Sequence, residues 1–351
     1  MINQQTIADR LGISRTSVSR SFSNHPAVNP ETRARVLGMA AQLGYRYTPL
    51  RGAGGRAEAG TGTIGVLVAG AESITEAITE ETCRYMLTGV SERLRELGMA
   101  MDVRYLDPLR PEMQALGQRP IKDVHGRKWE GAVLIYPFPG PGVERLAAAM
   151  PCVALVEDYA QAGVDCIDTD HAWAIGRLVQ HLHELGHRRI GFLTWHYPVP
   201  TPWAQRRFGA YVEGLARLDL SFEVAQTVNA WPGRPVPISA CGTAVAQHVR
   251  QGVTAWVCAA DHQAYTLIAE LRKLGLRVPE DCAVTGFDGV VPPLGEMQLT
   301  SVRVPYRDMG VTAVTRLLGR RAVMSSPRRH ILLSPEFLVG ETTGPVGGAR
   351  A

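Results

Sequence analysis

TIADRLGISRTSVSR, residues Thr6 to Arg20, reads as two short helices joined by a glycine turn. Ile7, Ala8 and Leu11 share one apolar side of a first helix, which Gly12 ends. Ile13 turns back to the core and Ser14 is placed to accept the first free N–H of the next helix. That second helix, Thr16 to Arg20, is polar nearly all round, with Val18 as its large apolar anchor. Such a helix is poor core material. Hydroxyl and guanidinium groups on one anchored helix instead suit a DNA major groove, where they meet base edges and phosphates.

A third helix completes the unit. Asn29-Pro30-Glu31 supplies an N-cap, a proline at the first helical position and an acid in the first turn, and Val36, Ala40 and Leu43 repeat along one face up to Gly44. The charge is lopsided. Residues 1 to 56 hold Arg10, Arg15, Arg20, Arg33, Arg35, Arg46, Arg51 and Arg56 against Asp9 and Glu31, a balance of +6 in a chain whose total is +4. The remainder is therefore slightly acidic, and the basicity sits where a phosphate backbone needs it. The competing reading is a helical hairpin that docks on the body of the protein.

The full chain has 351 residues, 45% of them apolar and 20% charged, a length that implies two or three domains. No apolar run is long enough to span a bilayer, and the polar start MINQQT is unlike a signal peptide, so a cytoplasmic protein is expected. The six cysteines, at 83, 152, 166, 241, 258 and 282, have no CxxC spacing and read as buried reduced thiols. No metal is expected. His181, His183 and His187 do not converge, because i and i+2 face different ways on a helix and His187 follows Gly186 beyond the helix end.

Residues 48–62, TPLRGAGGRAEAGTG, form a glycine-rich linker. Gly52, Gly54 and Ala57 mimic a dinucleotide fingerprint, but no strand precedes them and no helix follows, which excludes that reading and leaves no cofactor. Beyond the linker, strands and helices alternate. TIGVLV, MAMDVRYL, GAVLIYP and CVALVE form one series and RIGFLTW, TAWVCAA and CAVTGFD a second, spaced by helical patterns at 82–97, 173–185, 205–217, 244–251 and 263–274. Continuous apolar strands between amphipathic helices mean parallel sheets covered on both faces. Some 280 residues exceed one such core, so two lobes with a cleft at the strands' carboxyl ends are expected.

These motifs carry a resemblance. The head, followed by DH....G at 170–176, ELGHRRIGFL at 184–193, RRFGAY at 206–211, AAD at 259–261, LGLRVPEDCAVTGFD at 274–288 and LTSVRVPYRDMG at 299–310, resembles the lactose/galactose repressor family of transcriptional regulators from about residue 6 to 343. The resemblance implies an N-terminal all-α helix-turn-helix domain at 1–47 and a hinge at 48–62. An α/β periplasmic-binding-protein-like sensor of two doubly wound lobes then fills 63–344. Lobe 1 is expected at about 63–163 and 296–322, lobe 2 at about 164–295 and 323–344, with a tail at 345–351. Such proteins generally work as homodimers, here through the lobe nearer the head. The tail has no leucine heptads to build a tetramer.

On the DNA side the resemblance places Arg15, Thr16 and Arg20 as base readers, and Thr6, Ser14, Ser19, Asn24 and His25 as phosphate contacts or caps. The chain departs from the family at the hinge, where Gly54 stands in place of a minor-groove leucine wedge; Leu50 is the substitute candidate. In the sensor, Arg206 and Asp288 match ligand contacts that would face each other across the cleft and hold vicinal hydroxyls, which suits a sugar. Trp231 matches a stacking aromatic, with core packing as the alternative, and Asp261 is either a helix N-cap or a neighbour of the site. Glu72, Ser73, Trp195 and Trp203 are further lining candidates in two segments unlike the family pattern. The expected function is a sequence-specific DNA-binding regulator, in the first instance a repressor, with a small-molecule effector and no membrane partner. An effector-free regulator whose sensor only dimerises is the alternative. An enzyme has no supporting motif, and a sugar-transport component is disfavoured by the basic head.

Overall fold

The computed structural model describes residues 2–23, 25–43, 45, 62–70, 79–106, 129–197, 201–231, 233, 235–322 and 327–347. Leu50, Gly54, Asn24, Glu72 and Ser73 lie outside the described residues. The head folds as α1 (Gln4–Leu11), α2 (Arg15–Phe22) and α3 (Pro30–Gln42). Ile7, Ala8, Val18, Val36 and Ala40 form its core, with Leu11, Ile13, Phe22 and Tyr45 packed against it. Phe22 is thus a second anchor of α2, beyond the expected helix end, and its ring lies 5.5 Å from Tyr45. Gly12 takes φ +63°, the left-handed conformation that lets the chain turn between α1 and α2 without a Cβ penalty.

Contacts divide the chain into two compact units, 1–168 with 306–333 and 169–305 with 334–351. In the first unit a six-stranded sheet runs in the order β11-β5-β4-β3-β1-β2. Its strands are β1 (Thr63–Ala69), β2 (Ala100–Leu106), β3 (Trp129–Ile135), β4 (Cys152–Leu155), β5 (Asp165–Thr169) and β11 (His330–Leu333). β1 to β5 pair in parallel. Helices α4 (Thr79–Glu96), α5 (Gly140–Ala149) and α10 (Tyr306–Ala322) accompany it. α4 and α10 cross where neither carries a side chain: a Cβ on Gly310 would sit 2.2 Å from the Met86 carbonyl oxygen. Arg307 clamps the same pair of helices, donating two 2.8 Å bonds to Glu92.

The head belongs to this unit. α3 packs on α4 and β2, and Arg84 meets Glu31 at 3.1 Å. Docking on the body and an outward second helix are therefore compatible, since α2 is not part of that contact face.

The second unit holds a four-stranded parallel sheet in the order β7-β6-β8-β9: β6 (Ile190–Leu193), β7 (Thr227–Val228), β8 (Ala255–Cys258) and β9 (Ala283–Thr285). Helices α6 (His171–Glu184), α7 (Pro202–Arg217), α8 (Ile238–Arg250) and α9 (Asp261–Lys273) alternate with it, and β10 (Ser301–Arg303) and β12 (Glu336–Leu338) form an antiparallel pair.

The chain changes units later than the sequence suggested: after Asp168, Pro305 and Leu333 rather than 163, 295 and 322. β5 explains the first shift. DCIDT carries two carboxylates and does not look like a buried strand, yet all five residues are buried. Asp165 is accommodated because Arg316 and Arg320 both pair with it and Arg329 N–H donates to it at 2.7 Å. β11 then belongs to the first unit as the strand beside β5, and β10 to the second. The tail is also held by the second unit, with Val346 N–H donating to Leu185 O at 3.1 Å. No helix among the described residues is long and apolar enough to cross a membrane.

Candidate functional sites

In the head, Ser14 caps α2 by accepting from Ser17 N–H at 3.1 Å. Thr6 is the partner of Asn3 in a capping box, so its hydroxyl serves α1. His25 accepts from Ala27 N–H through Nδ1 at 3.2 Å, and its carbonyl accepts from Arg33. These three side chains therefore build the head. Arg15, Thr16, Ser19 and Arg20 are all exposed on α2, around the buried Val18.

The basic surplus is not all free for phosphate. Arg33 is buried, its pKa lowered by desolvation and then by Arg95, and Arg35 donates to Leu11 O at 3.2 Å. The exposed arginines among the described head residues are Arg10, Arg15 and Arg20.

In the second unit the charged site differs from expectation by one residue. Arg207, not Arg206, meets Asp288, at 3.5 Å, with both side chains almost wholly buried. Both lie within the second unit. Helix period gives the reason: α7 buries Ala204, Arg207, Ala210, Tyr211, Gly214 and Leu215, and Arg206 falls one step, about 100°, off that stripe. The Arg207 guanidinium lies 3.6 Å from the Phe287 ring centroid and 4.7 Å from that of Trp203. It donates to Ala259 O and, through Nε, to His171 Nδ1 at 3.4 Å. Asp288 takes φ +134°, a conformation that L side chains rarely adopt.

Asp261 lies beneath this pair. The N-cap of α9 is Ala260, so the carboxylate of Asp261 does not cap the helix; it accepts from Ser301 at 2.6 Å and from Val290 N–H at 2.9 Å. Burial, reinforced by Asp288, raises its pKa to about 7. Next to it, burial and then Arg207 lower His262 to about 3, so the ring is neutral. Gln263 donates to the Tyr197 oxygen at 3.0 Å, and the Tyr197 hydroxyl can in turn donate to His262 Nε2 at 2.9 Å.

Tyr197 also lines a cavity of about 710 Å³, together with Trp195, Phe208, Asn229 and Trp231. Trp231 is 51% exposed, its ring edge-on to Phe208 and tilted against Phe222, so core packing is not its role. Trp195 is buried, its ring 4.9 Å from His262. Arg207, Tyr197, Phe208, His262 and Gln263 were not among the sequence candidates. The apolar period of α7 was the one signal that could have found Arg207. Two of the three histidines raised for metal are structural: His181 bonds Thr343 at 3.0 Å, and His187 bonds Thr254 and Gly344 O.

Residues 179–343 match the family model described as a periplasmic binding protein-like domain. The HTH-type transcriptional regulator MalR of Streptomyces coelicolor is 28% identical over 98% of this chain and 97% of its own length. The lactose operon repressor of Klebsiella pneumoniae is 25% identical, with 99% and 93% covered. Over nearly its whole length the chain is similar to regulators of the lactose/galactose repressor kind. These relatives are transcriptional regulators, not enzymes.

Among solved structures, the Lac repressor dimer bound to operator and an anti-inducer matches with TM-score 0.66 at 22% identity, covering 98% of this chain and 99% of that one. The CelR–cellobiose complex matches at 0.67 and 23%, covering 97% and 100%. At such identities these two likenesses speak for the fold: a helical head and a two-unit parallel α/β body.

Proposed function

We propose that the chain belongs to the lactose/galactose repressor family and is a cytoplasmic homodimeric repressor that reads a pseudopalindromic operator through α2 and responds to a sugar or sugar derivative held by its second unit. The observation that carries the reading is the outward row Arg15, Thr16, Ser19 and Arg20, exposed on a short helix that Val18, Phe22 and the Ser14 cap hold rigidly. Arginine pairs bidentately with guanine, and each such pair discriminates by about 1–3 kcal/mol. The relatives' names support the DNA half, and the cellobiose held by CelR supports a carbohydrate for the effector half.

The chemistry of the second unit agrees. A buried guanidinium–carboxylate pair offers charge-assisted hydrogen bonds to hydroxyls, while exposed Trp231 presents a ring face on which sugar C–H groups pack. An effector changes DNA affinity only through unequal affinity for two conformations of the protein.

Selection of sites from a randomised duplex pool at two salt concentrations, followed by a scan of sugars against the winning duplex, tests this. The proposal expects a two-fold symmetric site released or tightened by one class of sugar. A symmetric site indifferent to every sugar would favour the effector-free regulator, and enrichment of no site would contradict the reading of α2.

A further inference from the structure

No cysteines lie close enough in the chain to form a CxxC pair. The fold brings a different set together. Cys166 and Asp168 alternate onto the same face of β5, and β11, the neighbouring edge strand, sets His330 beside them. The strands are joined there by Cys166 N–H donating to Arg329 O at 3.0 Å. One ligand atom from each of Cys166, Asp168 and His330 lies within 4.8 Å of the others. Cys166 and Asp168 are buried, at 0% and 1% exposure, while His330 is open to solvent.

We propose that Cys166, Asp168 and His330 form a binding site for a divalent metal ion of the zinc type. A thiolate, an imidazole and a carboxylate together are the donor set of a borderline-soft ion, and they discriminate against magnesium and calcium, which want oxygen alone. Tetrahedral zinc places its ligand atoms about 3.5 Å apart. The exposed side chain of His330 on the edge strand has room to close that difference, while Cys166 and Asp168 are buried on β5.

A second observation belongs to the same place. His330 Nδ1 lies 3.9 Å from Asp158 Oδ2, and Asp158 also pairs with Arg328, so a small turn of the ring would bring a carboxylate outside the ligand set against one imidazole nitrogen while the other meets the ion. Three protein ligands leave the fourth position for water. Binding requires the thiolate, so it releases the Cys166 thiol proton to solvent, and affinity rises with pH. The ion would clasp β5 to β11, the two strands from whose ends the chain leaves the first unit. The site is independent of the effector and DNA readings.

Cobalt(II) is the probe, titrated into the full-length protein carrying no polyhistidine tag. One equivalent per chain is expected to give a thiolate-to-cobalt charge-transfer band that zinc displaces. Cys166→Ser is expected to abolish the band and Cys241→Ser to leave it unchanged. His330→Ala, on an exposed edge, keeps the fold by circular dichroism and weakens binding about tenfold or more, the scale on which even outer partners of metal ligands act. Absence of the band in the wild-type protein, or a band that survives Cys166→Ser, would overturn the site. Were Cys166→Ser not to fold, undiminished cobalt affinity in His330→Ala would overturn it equally.

Discussion

Two helices of this protein carry arginines at the positions that matter, and they treat them in opposite ways. On α2, Arg15 and Arg20 stand in solvent, attached to a helix whose rigidity comes from Val18, Phe22 and a serine cap. On α7, Arg207 is buried, sandwiched between Phe287 and Trp203 and bonded to Asp288, Ala259 and His171. An exposed guanidinium costs the fold nothing and is free for an external base or phosphate. A buried one is part of the fold, and a ligand must share partners it already has. Truncation should therefore separate the two: loss of recognition without loss of stability on α2, loss of both on α7.

The largest effect belongs to Arg207→Ala. It strands Asp288 in a buried position, and breaking a buried pair costs about 3–5 kcal/mol. The drop is read as a lower urea midpoint, together with loss of any effector response. Arg206→Ala, half-buried and off the pairing stripe, serves as the paired variant and should move the midpoint far less.

The acid below the pair sharpens the same contrast. Asp261, raised to about 7 in the folded chain, binds its proton more tightly there than when unfolded. Its contribution is complete below the unfolded value of about 4 and is lost as pH rises toward 7, at no more than about 1.4 kcal/mol per unit. Stability measured against pH should fall less steeply across that window in Asp261→Asn than in the wild type. Equal slopes would show that the carboxylate is already charged.

Smaller changes belong to the head. Arg15→Ala should cost about 1–3 kcal/mol of discrimination at one base pair and leave the unfolding midpoint unmoved, as read by competition with single-substitution duplexes. Ser14→Ala, which removes the α2 cap, should cost about 1 kcal/mol of head stability and weaken binding to all sequences alike. An Arg15 variant that lowers stability more than the Ser14 variant would break the distinction between reading and building.

The degree to which each region is legible in the sequence follows the same physics. The head reads well because its signals are local: Gly12, Ser14, Asn29 and Pro30 sit at the turn and caps where their chemistry is needed. The apolar strands β1, β3, β4, β6 and β8 read well because burial on both faces leaves an uninterrupted apolar run. β5 does not, since Asp165 looks like a surface residue until Arg316 and Arg320, some 150 positions away, are folded onto it. β10 to β12 are three or four residues each, too short for periodicity to speak.

For the proposed effector site, the sequence offers the residue types but not the register. Arginine and aspartate were expected together, and Trp231, expected as a stacking aromatic or as core, is an exposed residue lining the cavity. Between the adjacent Arg206 and Arg207, only the apolar spacing of α7 chooses. Asp261, expected as a helix N-cap or a neighbour of the site, is a buried acceptor for Ser301 and Val290 N–H and does not cap α9. The cluster Cys166, Asp168 and His330 left no mark in the sequence, because its members meet only through the pairing of β5 with β11.

The most direct test of the account is the affinity of the full-length protein for its selected duplex, measured with and without the effector, for the wild type and for Arg207→Ala. The account predicts a wild-type affinity that shifts about 5- to 150-fold when the sugar binds, the usual range of coupling between two sites. It predicts that Arg207→Ala, assayed at a temperature where it is folded, keeps the unliganded DNA affinity and loses the shift. Wild-type affinity that is the same with and without every sugar that binds the protein would contradict it.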